Sequence, residues 1–441
     1  MRAAIVDPLH TCTDQAAGPP VMVQSLAELL SRAAGAFSAD EGVLALTRDT
    51  CNQLDVPLLD RAEVSEAVRY AGPASAEAYG WRFTSWSDWT TLRAEGMPTV
   101  RLALLPIIDP KRCPLVEGIG NEAKAFAAWH QLTGKAYHGT PGMAGLSVLK
   151  HTVRTGKGKT PPAWKPAVVG PDEAYEADYY PDHWRGDESA PWMHGHDLNR
   201  AYVAAAMGVE VSPWALRHTG RIAFDARRAG WWQVELAPWN DPRIPDPAGY
   251  EIDYDRADPG DRQLVRWVTT PTLALLESLT EQGLYGGARI LDSWTGPAVR
   301  GVLRGWAETM RDAYAAPLAD TLPGDVAAAV RQTVKMAGRE TLGLLARAEN
   351  WAYRPDWWYA VVAQARCNLW RKLWTIGTSE GRWPALIDVD NVWYGADTGV
   401  WADQVPALFK VDASGLKLGA VKQKGPRRNR RPRTMRGCED A

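Results

Sequence analysis

Long apolar runs and paired cysteines are what this sequence lacks. Its 441 residues contain no run of about 18 or more apolar residues, the length that a helix needs to cross a bilayer. The N-terminus, MRAAIVDPLHTCTDQ, has neither the basic start nor the apolar middle of a secretory signal. We therefore expect a cytoplasmic protein with no membrane partner.

The cysteines are few and stand far apart. Five occur, and they are Cys12, Cys51, Cys113, Cys367 and Cys438. None belongs to a Cys-x-x-Cys pair, and none lies near histidines at the spacing of a zinc site. The pattern indicates reduced thiols rather than a disulfide framework or structural zinc. A hydrophobic content of 46% is enough for a large core and for two or three domains.

Acidic residues are absent from the stretch between Lys417 and Arg436, although the whole chain has a net charge of only −2. The stretch holds nine basic residues, namely Lys417, Lys422, Lys424, Arg427, Arg428, Arg430, Arg431, Arg433 and Arg436. Such a tail suits a polyanion, nucleic acid above all, and the alternative is a solvated, disordered terminus that binds nothing in particular. Because prolines interrupt the arginines, we expect no regular helix or strand after Gly425.

Three aspartates are candidate catalytic acids. Asp197 stands in WMHGHDLNRAYVAAA, where a strand is predicted to run into a helix of small residues. Asp388 and Asp390 form an Asp-x-Asp turn between two apolar strands in PALIDVDNVWYGAD. Carboxylates from distant parts of a chain can hold the two divalent metals that phosphoryl-type transfer needs. The alternatives are a helix N-cap for Asp197 and ordinary turn chemistry for the other two.

A basic helix is predicted between these acids, in AVRQTVKMAGRETLGLL. Lys335 and Arg339 are four positions apart and share a helix face, with Arg331 one turn further back. This face can clamp a triphosphate, since lysine is a compact point charge and arginine a fork that matches phosphate oxygens. The alternative is a solvated basic face.

The order and spacing of these motifs resemble family B DNA polymerases, most closely the protein-primed phage and plasmid branch. Motif A is matched by Asp197-Leu198-Asn199-Arg200-Ala201-Tyr202-Val203, motif B by Lys335-x3-Arg339-x2-Leu342-Gly343, and motif C by Asp388-Val389-Asp390-Asn391. The helix WAETMR, ending in Arg311, occupies the place of one that offers a second triphosphate contact. The likeness covers about residues 175 to 425.

The resemblance implies an α+β right hand, with an antiparallel palm, helical fingers and a mixed α/β N-terminal domain. It also implies DNA replication, of a phage, plasmid or other mobile element, with primer-template DNA, deoxynucleotides and a priming or other replication protein as partners. In two-metal nucleotidyl transfer, Asp197 and Asp390 would hold Mg²⁺ or Mn²⁺ and Asp388 would support them. Lys335, Arg339 and Arg311 would neutralise the triphosphate, while Tyr202 would lie under the sugar and exclude a 2′-hydroxyl.

The domain limits that follow are these. Residues 1–153 form the N-terminal domain, for which a degenerate exonuclease is one interpretation, and 154–170 form a linker. The palm comprises 171–263 with motif A and 351–424 with motif C, the fingers region with motif B is 264–350, and the basic tail is 425–441. Lys422, Lys424, Arg427, Arg428, Arg430 and Arg431 are the expected DNA-binding residues.

Several positions depart from the family pattern. Motif B has Arg339 in place of asparagine and Leu342 in place of tyrosine, and motif A has Arg200 in place of serine. The Asp-x-Glu strand and late Tyr-x3-Asp of the proofreading nuclease are not found in a suitable strand. A second hypothesis is therefore a polymerase-derived DNA-binding or accessory protein with little or no catalysis. A third is a primase or primer-independent nucleotidyltransferase.

Overall fold

The structure is a computed structural model with a mixed α/β architecture. It describes the chain except for residues 1–3, 7–10, 15–20, 23–24, 38–40, 55, 57, 59–80, 83–88, 117–121, 154–161, 180–185, 188, 250–263, 402–404 and 429–441. The chain divides into two compact units. Unit 1 is Met1–Thr152 with Glu308–Leu344, and unit 2 is Val153–Ala307 with Leu345–Ala441. The domain limits drawn from the sequence remain predictions.

The strands and helices of the described residues are as follows. The strands are β1 (Ala4–Val6), β2 (Thr11–Asp14), β3 (Val21–Met22), β4 (Glu41–Leu46), β5 (Trp89–Leu92), β6 (Thr99–Leu104), β7 (Trp192–Leu198), β8 (Glu210–Val211), β9 (Arg217–His218), β10 (Arg228–Leu236), β11 (Leu264–Thr269), β12 (Ala288–Pro297), β13 (Val299–Arg300), β14 (Leu386–Asp388), β15 (Asn391–Ala396) and β16 (Val421–Arg428). The helices are α1 (Leu26–Ala36), α2 (Arg48–Gln53), α3 (Glu122–Thr133), α4 (Pro141–Thr152), α5 (Ala201–Ala206), α6 (Thr270–Glu281), α7 (Arg304–Ala315), α8 (Gly324–Leu344) and α9 (Pro355–Glu380).

Unit 1 is built on a sheet with the strand order β3-β2-β1-β4-β6-β5. Strands β1, β4 and β6 run parallel, and the others pair antiparallel. Helix α1 starts at Ser25, whose hydroxyl accepts a hydrogen bond from the Glu28 amide at 3.2 Å, an N-cap that satisfies a free helix amide. Its apolar face, with Leu29, Leu30 and Ala33, is buried against β4 and β6.

Two glycines allow α4 and α8 of unit 1 to pack in close contact. A Cβ at Gly145 would overlap Thr341 Oγ1, and one at Gly142 would crowd Glu340 and Leu344. Instead, the Thr341 hydroxyl donates to Gly142 O at 3.3 Å and the Gly142 amide donates to Glu340 Oε2 at 3.3 Å. The helix that carries motif B is therefore fixed tightly to α4.

Unit 2 contains the sheet that carries the three aspartates, which we call the carboxylate sheet (β14, β15, β7 and β16). Its order is β14-β15-β7-β16, with every neighbouring pair antiparallel. A second antiparallel sheet, β11-β10-β12-β9, shares a core with helices α6 and α9 and with the carboxylate sheet. The predicted strand and helix of motif A are β7 and α5, and the predicted hairpin of motif C is β14 and β15.

The last apolar helix extends beyond its predicted end. Residues 358–377 are strongly apolar and predict a helix closed by Gly377, but α9 continues to Glu380 and ends at Gly381, which has a left-handed backbone with φ of 68°. Gly377 is inside the helix because a Cβ there would overlap the indole ring of Trp383. That glycine marks a close ring contact rather than a helix terminus.

The expectation that no strand follows Gly425 was wrong for residues 426–428, which belong to a strand. Strand β16 pairs with β7 from Val421 to Arg428, and its register shifts between Lys424 and Pro426. This irregularity lies on the last strand in the order of the carboxylate sheet, so the missing amide of Pro426 is tolerated there. Arg430 and Arg431 lie outside the described residues. Among the described helices, none combines the length and apolar content needed to cross a bilayer.

Candidate active site

The structure brings the predicted acids of motifs A and C together on the carboxylate sheet. Asp197 on β7 lies opposite Asn391 on β15, and Asn391 lies opposite Asp388 on β14. Asp390 is in the hairpin turn, where its carbonyl oxygen accepts a hydrogen bond from the Leu198 amide at 3.0 Å. Asp197 on β7 and Asp390 in the turn between β14 and β15 are therefore neighbours. Asp197 is in the strand and is not an N-cap, since Arg200 occupies that position of α5.

The turn that presents Asp390 has an unusual backbone. Val389 has φ of 58°, a left-handed conformation that a β-branched residue rarely adopts and that costs of order 1–3 kcal/mol. The Val389 amide donates to the Tyr179 carbonyl at 2.8 Å, which ties the turn to the segment before β7. Strain of this kind persists only where the surroundings impose it, so the position of Asp390 is tightly determined.

Burial and like charge act together on Asp390. Burial is the largest influence and raises its pKa, and the carboxylates of Asp197 and Asp178 raise it further, to about 6. Lys424 acts in the opposite direction. A carboxylate held near other carboxylates in a partly dry site is one whose charged form a cation would stabilise.

Asp178 belongs to this cluster, although no sequence pattern indicated it. It follows no motif and lies in the irregular segment before β7, where nothing in the spacing of residues marks a buried acid. Its exposed fraction is 8%, and burial raises its pKa. The Tyr202 hydroxyl donates a hydrogen bond to Asp178 Oδ2, and the Tyr202 ring packs on Trp358 at a centroid distance of 5.4 Å. Asp178 therefore links the predicted sugar-sensing ring to the acids.

A lysine lies beside the motif A acid. Lys422 on β16 is directly opposite Asp197, and its Nζ forms an ion pair with Asp197 Oδ2 at 2.9 Å. The side chain of Lys422 is 37% exposed and that of Asp197 is 13% exposed. Further along β16, Arg427 lies over the Trp393 ring at 4.3 Å and Arg428 over the Trp192 ring at 5.7 Å. The described basic residues from Lys422 to Arg428 thus begin beside Asp197 and follow one strand.

The basic residues of motif B are on unit 1. Lys335 and Arg339 are both exposed on α8, with Arg339 at 74%, whereas Leu342 is fully buried in the same helix. Leu342, which stands in place of the family's tyrosine, is thus a core residue, and its side chain is not exposed to a base pair. Arg311 on α7 forms an ion pair with its neighbour Asp312 at 2.7 Å. The predicted triphosphate role of these basic residues remains a prediction.

The donor set of the site fits a hard divalent cation. Asp197 and Asp390 offer carboxylate oxygens only, which Mg²⁺ prefers, and Mg²⁺ is commonly bound by one or two carboxylates plus substrate phosphates. Within the described ranges, no group of three or more histidine, cysteine, aspartate or glutamate residues is arranged to hold a metal by itself. A divalent cation held by these two carboxylates would therefore need further oxygen ligands to complete its coordination sphere.

Comparison with known proteins gives distant structural similarity only. No family model and no curated protein matches the chain. A structure of Phi29 DNA polymerase with primer-template DNA and incoming nucleotide is similar at a TM-score of 0.47 and 14% identity, over 96% of this chain and 84% of that one. Phi29 DNA polymerase with primer-template DNA has a TM-score of 0.46 and 15% identity over 78% and 69% of the two chains. The polymerase with single-stranded DNA has 0.45 and 13% over 78% and 68%.

Proposed function

We propose that the chain is a DNA polymerase that acts by two-metal nucleotidyl transfer. The observation that carries this proposal is the proximity of Asp197 on β7 to Asp390 in the adjacent turn between β14 and β15, where Asp197 is one of the charges that raise the pKa of Asp390. Neighbouring carboxylates repel each other, and such pairs are suited to clamping metal ions. Asp388, at the other end of the turn, is proposed to support them.

The residues of the site have separate roles in this proposal. Divalent ions bound between Asp197 and Asp390 would polarise the primer 3′-hydroxyl and neutralise charge on the α-phosphate. Asp197 and Asp390 orient those ions, while the left-handed turn at Val389 holds Asp390 in place. Tyr202, fixed by Asp178 and Trp358, is proposed to contact the sugar of the incoming nucleotide. Lys335, Arg339 and Arg311 are proposed to bind its triphosphate.

The basic strand is the proposed DNA contact. Lys424, Arg427 and Arg428 lie along β16, an edge strand in the order of the carboxylate sheet. Positive side chains on an edge strand both discourage pairing with other strands and attract the phosphate backbone. Because such contacts carry no base information, the DNA affinity they provide should be independent of sequence.

Primer extension with Mg²⁺ or Mn²⁺ tests the proposal. Asp390→Asn keeps the shape of the side chain but removes a ligand charge, so we expect extension to fall by about 10³-fold or more while DNA binding changes little. Asp225→Asn is the matched control, because Asp225 is a carboxylate of the same unit that pairs with Arg227 on the surface. Extension by Asp390→Asn at the rate of the control would contradict the proposed role of Asp390.

A second candidate, a DNA-binding protein without catalysis, is favoured by the ion pair between Lys422 and Asp197. That lysine neutralises one of the two acids that a metal needs. Wild-type protein that binds primed DNA but adds no nucleotide with either metal would support this candidate. Parallel reactions without primer and with ribonucleotides would instead identify a primase or a primer-independent transferase.

A further inference from the structure

The ion pair of Lys422 with Asp197 bears on how metal binding is controlled. Asp197 Oδ2 accepts from Lys422 Nζ at 2.9 Å, so the carboxylate proposed as a metal ligand already has a cationic partner. A divalent ion bound to that oxygen would meet the ammonium group at short range. Because like charges at such distances repel strongly in a half-buried site, metal and lysine compete for Asp197.

Lys422 has the freedom to leave Asp197. Its side chain is 37% exposed, so the ammonium group can exchange its partner without a change in the strand itself. Lys424 follows two positions later, and Arg427 and Arg428 continue the same strand. A DNA backbone along β16 would offer phosphate oxygens to Lys422 in place of the carboxylate, and a flexible ammonium can exchange one anion for the other at little cost.

We propose that Lys422 is a positioning residue that exchanges Asp197 for a DNA phosphate, so that binding of primed DNA releases Asp197 for the divalent metal. This inference rests on the proposed function and deepens it. Without DNA, Lys422 neutralises Asp197 and keeps its metal affinity low. With DNA bound, the affinity rises, and thermodynamic reciprocity requires the metal to tighten DNA binding by the same factor.

Binding of Mn²⁺ to the DNA-free protein is the first measurement, by electron paramagnetic resonance titration. Lys422→Gln removes the competing charge, so its Mn²⁺ affinity should exceed that of the wild type by about 2- to 5-fold, the worth of a partly exposed ion pair. Lys422→Arg retains the charge and should bind Mn²⁺ as the wild type does. Circular dichroism melting of each variant reports whether the fold is intact.

The second measurement is the coupling between Mn²⁺ binding and DNA binding. Affinity for a dideoxy-terminated primer-template is measured by fluorescence anisotropy with and without Mn²⁺. In the wild type, Mn²⁺ should tighten DNA binding by about 2- to 5-fold, and in Lys422→Gln this increase should disappear. Arg428→Gln is the matched control, since it removes a positive charge from the same strand opposite Trp192 rather than Asp197. It should weaken DNA binding, keep the Mn²⁺ effect and leave DNA-free Mn²⁺ affinity unchanged.

The outcomes separate this inference from the proposed function. If Lys422→Gln binds Mn²⁺ no more tightly than the wild type, while Asp390→Asn binds it less tightly, the exchange is wrong and the metal site stands. If Asp390→Asn and the wild type show the same Mn²⁺ binding in the presence of primed DNA, or neither binds Mn²⁺ there, both the exchange and the proposed metal chemistry are overturned. Equal Mn²⁺ enhancement of DNA binding in the wild type and Lys422→Gln also overturns the exchange.

Discussion

At the scale of single residues, Asp178 determines how firmly the Tyr202 ring is held. The ring packs on Trp358, and its hydroxyl donates to Asp178 Oδ2. A hydrogen bond to a charged group contributes about 1.5–3 kcal/mol. Without that bond the ring would move more freely, and a steric barrier that depends on its position would weaken.

We therefore expect Asp178→Ala to reduce discrimination against ribonucleotides by roughly tenfold, as loss of ~1.5 kcal/mol implies. Tyr202→Ala should reduce it at least as much. The measurement is the ratio of kcat/KM for a deoxynucleotide to that for its ribonucleotide, in which effects on the metal ligands cancel. Asp178→Asn is the control, because its amide oxygen can still accept from Tyr202. Unchanged discrimination in both Asp178→Ala and Tyr202→Ala would show that Tyr202 is only a packing residue.

Residue types and their order in the chain were enough to select Asp197, Asp388 and Asp390. They could not reveal Asp178 or the partnership of Lys422 with Asp197. Both depend on which residues the fold places side by side, and the contact between β7 and β16 joins positions more than 200 apart in sequence, as Lys422 and Asp197 are (422 − 197 = 225). The burial of Leu342 in unit 1 likewise depends on packing that the motif does not specify.

At the scale of elements, the close contact of α4 and α8 makes Gly145 a sensitive position. Gly145→Ala adds a methyl group where Thr341 Oγ1 lies, so the helices must separate or the threonine must move. We expect a loss of about 1–3 kcal/mol in the free energy of unfolding, measured by urea denaturation. A variant as stable as the wild type would show that the two helices can yield without cost.

Gly343→Ala provides the control for this prediction. Gly343 is in α8 itself, and a Cβ there meets nothing within 4 Å. Alanine loses less conformational entropy than glycine in a helix, so this substitution should stabilise the protein by about 0.5–1 kcal/mol. If Gly145→Ala lowers the free energy of unfolding and Gly343→Ala raises it, packing rather than helix propensity is the cause of the loss at Gly145.

Elements were the features that the sequence predicted best. The predicted basic helix is α8, the strand and helix predicted around Asp197 are β7 and α5, and the predicted Asp-x-Asp hairpin is β14 and β15, because such patterns follow directly from helix and strand geometry. The ends of the elements were predicted less well, as Gly377 in α9 and the extent of β16 show. A glycine inside a helix looks the same in sequence as one that ends it, and only the nearby Trp383 ring distinguishes the two.

At the scale of the whole molecule, the raised pKa of Asp390 links metal binding to stability. In the metal-free protein the folded state favours the protonated carboxyl, so this group contributes stability below its unfolded pKa of about 3.9, and the contribution is lost as pH rises through about 6. Metal binding requires the carboxylate and should reverse this trend.

The expected result is a rise in Tm with saturating Mn²⁺ of about 2–5 °C near pH 7.5 that shrinks toward zero near pH 5. Differential scanning fluorimetry with and without Mn²⁺ at both pH values provides the measurement. Asp390→Asn should show a small Mn²⁺ effect that is the same at both. A Mn²⁺ effect in the wild type that does not change with pH would contradict the role of Asp390 as a ligand.

The strand order of the carboxylate sheet has a consequence for synthesis of the chain. Strand β7 is made well before its two neighbours, β15 and β16, which follow about 200 residues later. Loop closure over such distances is slow, and pairing must wait until both partners have left the ribosome. Until β15 and β16 have emerged, the segment from Trp192 to Leu198 lacks one or both of its neighbouring strands. The proposed site is therefore incomplete on the nascent chain, and β7 waits there with unpaired edges to which other strands could bind.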